Sequence, residues 1–156
     1  MPTTDIEHHY NELKKKFSLP NFSLLDREFE ISTIEKPVLL LGAIRKKIGE
    51  RIENITHFLD PLLQPDANSF CSIFEYRCLT ESERKEILRQ FQLLMALLRV
   101  SIAADLSADD AQDAALISRA AVEFPAIRQA LKPFVQKLAE SWPKPMEKKD
   151  SVGYFG

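Results

Sequence analysis

The residues of this chain whose types and spacing suit chemistry are three histidines, two cysteines and a few clusters of charge. His8 with Glu12, and Glu53 with His57, stand four residues apart, the step at which a helix turns two ligands toward one metal ion. A di-iron bundle would further need E-x-x-H on two helices and inward carboxylates on two others. The sequence contains no E-x-x-H, and Glu53 and His57 fall opposite the apolar side of their helix. We therefore assign no metal and no cofactor.

Nucleophilic chemistry would rest on Cys71 or Cys78. A reactive thiol needs a base beside it in an electropositive, partly open setting. No histidine is near in sequence, whereas Phe70, Ile73 and Phe74 are, so both cysteines read as small buried thiols. Seven residues along one helix separates them by about 10 Å, beyond disulfide reach. No residue is assigned to catalysis. Glu75, Tyr76 and Arg77 interrupt the apolar run around the cysteines. A buried carboxylate needs a cation, and Arg99, alone among apolar residues, is the expected partner in a buried polar pair that fixes helix register.

Charge offers two further candidates. Lys14, Lys15 and Lys16, and Arg45, Lys46 and Lys47 with Arg51 beyond, could together contact phosphates if the first helix lies along the third. Against this, Lys46 is spaced to pair with Glu50, and 21 basic against 23 acidic residues leave a net charge of -2, so no global field draws in nucleic acid. A solvated helix face is the simpler reading. Tyr154 and Phe155, in the stretch PKPMEKKDSVGYFG, could dock in a partner's groove as a short linear motif; the plain reading is a flexible tail over 143–156.

These residues must be positioned by helices. With 156 residues and 45% hydrophobic content, the chain can bury one core without disulfides. The start, MPTTDIEHHY, lacks the pattern of a signal peptide, and no apolar run is read as a membrane span, so a cytoplasmic setting is expected. A capping box at Thr4 and Glu7 opens a first helix with Ile6, Tyr10, Leu13 and Phe17 on one side, and Pro20 closes it. Asn21 to Glu35 reads as a short helix, capped by Ser23 and Asp26, plus a connector. From Pro37 to Asp60, Leu41, Ile44, Ile48, Ile52, Ile55 and Leu59 recur at helical steps, with Pro37 in the first turn and Pro61 and Pro65 as stops. Gly42 and Gly49 flank that stripe, which implies close approach of another helix.

Asn68 or Ser69 should cap a short helix from Phe70 to Leu79, and Thr80 with Glu83 a long one reaching Leu106. In the latter, Ile87, Phe91, Leu94, Leu98 and Ile102 form one stripe, while Leu93, Ala96, Leu97, Val100 and Ala104 cover the other side. Such a helix is expected to be surrounded by others. Ser107 should cap an alanine-rich helix to Val122, and Pro125 should open the last, kinked at Pro133.

The stretches LPNFSLLDREFEISTIE and LQPDANSFCSIFEYR, with the long helix between them, resemble a family of small all-helical archaeal proteins without an assigned activity. The resemblance covers most of residues 10 to 142 and implies an archaeal cytosolic setting and a helical fold, with no site residue.

The sequence thus predicts an all-α helical bundle of five or six helices with two long central ones, spanning residues 1–142. The function it suggests is a non-catalytic interaction or assembly module forming a homodimer through Gly42, Gly49, Leu93, Leu97 and Val100. One alternative is a nucleic-acid-associated protein using the two basic clusters. Another is an enzyme or ligand-binding bundle with a pocket around Glu75, Tyr76 and Arg99.

Overall fold

The computed structural model describes residues 2–36 and 38–146. Among these are six α-helices, α1 (Pro2–Phe17), α2 (Phe22–Phe29), α3 (Leu40–Leu63), α4 (Phe70–Cys78), α5 (Glu81–Ser107) and α6 (Asp110–Ser141), with a 3-10 turn at Ile31–Thr33 and no strand. The chain is an all-α bundle. Pro37, Tyr154 and Phe155 lie outside the described residues, so the first turn expected at Pro37 and the tail motif are not described.

Several helix ends follow from side chains that satisfy free backbone amides. Ser69 accepts from the Ser72 amide at the head of α4. Thr80 and Glu83 form the reciprocal pair that opens α5, at 3.1 and 2.9 Å. The Glu83 carboxyl also takes a hydrogen bond from Lys137 of α6, the main cause that holds it below the usual carboxylate range. At α2 Asn21 occupies the cap position without a side-chain cap bond, its amide oxygen accepting from Lys14, and Asp26 accepts from the Ser32 amide, tying down the 3-10 turn after Glu30 turns left-handed.

Two expected breaks do not occur. α3 passes through Pro61 to Leu63, because Leu59 and Leu62 on either side of the proline are both buried. α6 is one continuous helix of 32 residues containing Pro125 and Pro133, and its cap is Asp109, not Ser107. An interior proline costs about 3 kcal/mol. Each fully buried apolar side chain returns roughly 1.5–3 kcal/mol, and Leu116, Ile117, Phe124, Ile127, Leu131 and Leu138 run unbroken past both prolines.

The core is a three-helix layer of α3, α5 and α6, each packed on the other two. α4 closes one end, and α1 and α2 fold over the side. Buried Tyr10 donates its hydroxyl to the Pro20 carbonyl at 2.6 Å and meets Phe22 edge-on, which locks α1 to α2; burial pushes its phenol well above the usual range. By length and composition alone α5 is apolar enough to cross a bilayer, a test that a core helix also passes. It is not surrounded, however. Ile87, Leu94, Leu97, Leu98 and Ala104 are buried, while Leu88, Leu93 and Ile102 remain partly exposed.

Candidate functional site

The chemical candidates resolve into structural contacts. Arg45, only 17% exposed, donates through Nε to Asp113 and through Nη2 to Asp105, both at 2.8 Å, and so clasps α3 to α5 and α6. Burial raises the Asp113 carboxyl against the opposing pull of Arg45. Lys47 reaches Thr33 and Lys14 reaches Asn21, which leaves Lys15, Lys16 and Lys46 as the exposed members of the two basic clusters. α1 packs on α2 and the 3-10 turn rather than along α3, so the arrangement that would merge the clusters is not formed.

The Glu75–Arg99 pair is not made. Glu75 accepts from Trp142 Nε1 at 3.3 Å, Tyr76 carries the guanidinium of Arg84 over its ring at 4.1 Å, and Arg99 is exposed on α5. The reason is topological: α4 packs on the ends of α3 and α6, whereas Arg99 lies several turns along α5 on its outer side. Cys71 is exposed and Cys78 half-buried, which corrects the expectation of two buried thiols; Phe70 and Phe74 instead meet Trp142, edge-on and tilted respectively, and join α4 to the end of α6. His8 and Glu12 are a solvent-exposed pair, and among the described residues no group of three or more ligands could hold a metal.

Of the residues assigned to a dimer contact, three belong to packing within one chain. Leu97 is fully buried. A methyl at Gly49 would stand 3.5 Å from Ser101 Oγ, and one at Gly42 3.7 Å from Asp113 Oδ2, so the glycines let α3 approach its own neighbours. Leu93 stays partly exposed beside Ile127, and Val100 is half-buried.

The outward apolar surface lies one face away. Leu88, Phe91, Met95, Leu98 and Ile102 follow a 3-4-3-4 spacing along the edge of α5 that adjoins α3, the spacing of a two-helix seam. Leu88 is 45% and Ile102 43% exposed, and Leu106, one turn on, is 82% exposed. α3 borders this edge with the exposed carboxylates of Glu50, Glu53 and Asp60, which share clefts with Ile102 and Leu88. On α5 itself Arg99 is an exposed cation, while Lys85 pairs with Glu81 at 3.3 Å and lines the same cleft as Asp60 and Leu88. Of the stripe that the sequence analysis expected to be covered, Leu98 is buried and Phe91 packs half-buried against the core, while Ile102 is exposed.

The Glu28–Arg128 pair, bidentate at 2.9 and 3.1 Å with the carboxylate buried and the guanidinium partly exposed, also escaped sequence reading, its members lying 100 residues apart. In comparisons with protein-family models, curated proteins and solved structures, none matches this chain.

Proposed function

We propose that the chain is a non-catalytic helical assembly module that forms a homodimer through the α5 seam. The observation that carries this reading is the 3-4-3-4 row Leu88, Phe91, Met95, Leu98 and Ile102, whose two ends, Leu88 and Ile102, stand open at the surface while Leu98 between them reaches the core. A heptad-like row of this kind buries its apolar surface by meeting a second copy of itself.

Charge supports one geometry. A two-fold axis running parallel to α5 would lay the carboxylates Glu50 and Glu53 of one copy on the side of Arg99 of the other. An axis across the helix would oppose acid to acid. The parallel seam is therefore the favoured arrangement.

Ile102→Glu and Leu88→Glu test this without touching the core, since both positions are already partly in water. Light scattering is expected to give a dimer for the native chain and a monomer for either variant, with helical circular dichroism unchanged. Variants that stay dimeric would remove the seam from the account.

A further inference from the structure

We propose that the open groove between α3 and α6 is a docking site for a short amphipathic helix of another protein, one that presents a bulky apolar anchor flanked by carboxylates. Leu59 and Leu131 form its buried floor, and Ile55, Phe58 and Val135 its walls. Phe58 is 39% and Val135 44% exposed.

The polar lining singles out the partner's charge. It consists of Asn54, Arg128 and Lys132, with no carboxylate facing in, whereas the clefts beside α5 carry acids such as Glu50, Asp60 and Glu123. Arg128 is held at the rim by its two bonds to Glu28. Lys132 makes no ion pair with a described residue, and neither does exposed Arg51, one turn before Ile55 on the same face of α3. An apolar slot bordered by cations, of which Lys132 and Arg51 are unpaired among the described residues, complements an acidic, apolar-anchored segment.

Backbone chemistry selects a helix over an extended peptide. Both walls are α-helices whose amides and carbonyls are bonded internally, so there is no sheet edge for a strand to extend, and the incoming segment must satisfy its own backbone. The lining residues of α6, Arg128 to Val135, span about 10 Å, room for anchors on two successive turns of such a helix. A second copy of this chain is disfavoured as the occupant, because an isologous contact would set the same cations against each other.

The test uses the full-length chain and a labelled synthetic helix with leucines at i, i+4 and i+7 between glutamates, read by fluorescence anisotropy, beside the same peptide with lysines for glutamates. The glutamate peptide is expected to bind in the micromolar range, more weakly as salt rises, and the lysine peptide at least about tenfold more weakly. Val135→Glu and Lys132→Glu should each weaken the glutamate peptide by about fivefold or more with helicity unchanged. Equal binding of the two peptides, or binding of neither, overturns the proposal. Loss of the dimer mass in Val135→Glu would assign the groove to a second copy, and displacement of the glutamate peptide by a peptide of residues 147–156 would assign it to this chain itself; both also overturn it.

Discussion

The two flanks of α3 are built on opposite rules. Toward α5, Gly49 meets Ser101 and Arg45 reaches Asp105, so small side chains and a charged clasp bring the helices close. Toward α6, beyond the point where Gly42 faces Asp113, the bulky Ile55, Phe58, Leu131 and Val135 leave a groove. The close flank leaves α5's apolar edge overhanging beside carboxylates, and the open flank leaves an apolar slot bordered by cations. Side-chain size at a helix contact thus decides which kind of surface remains for a partner, and the charge beside it decides which partner.

The comparison breaks hardest at Arg45. Arg45→Ala would leave the Asp113 side chain, 9% exposed, without its cation, and a buried charge stripped of its partner costs about 3 kcal/mol at neutral pH. Burial already raises the Asp113 carboxyl in the folded state, and removal of Arg45 would raise it further. The folded protein then binds a proton that the unfolded chain has released, so stability is present in acid and is lost as pH rises through the folded-state value. Urea unfolding at neutral and mildly acidic pH should show a smaller loss in acid; a pH-independent loss would deny Asp113 this role.

Enlarging one residue on each flank sharpens the contrast. Gly49→Leu must force α3 from Ser101 and should cost about 2 kcal/mol by overpacking. Asn54→Leu, at an exposed position in the open groove, should change stability by no more than about 0.5 kcal/mol. Similar losses in thermal or urea unfolding would mean that the flanks are packed alike. The smallest effect belongs to Gly49→Ala: its methyl would sit at ordinary contact distance, 3.5 Å from Ser101 Oγ. Relief of the glycine penalty of up to about 1 kcal/mol should leave that variant as stable as the native chain or slightly more so.

What could be read from sequence was local. The Thr80–Glu83 box and the Ser69 cap are each settled within four residues, and both were legible. The glycines at 42 and 49 announced a close helix contact, but not whose helix. α5 is apolar around so much of its circumference that periodicity alone did not separate Leu97, which is core, from Leu88 and Ile102, which face outward. Pro125 was read as the start of a separate helix because its local cost is known, while the continuous buried face that overrides it exists only in the assembled bundle. Arg45 with Asp113, and Glu28 with Arg128, lie 68 and 100 residues apart, and no spacing rule links them. The α3–α6 groove was invisible for the same reason.

Light scattering of the native chain beside Ile102→Glu, across a dilution series, bears most directly on self-association through the α5 seam. The seam predicts a dimer mass that falls toward the monomer on dilution, and a monomer at every concentration for the variant. A native chain that is monomeric even when concentrated would contradict it.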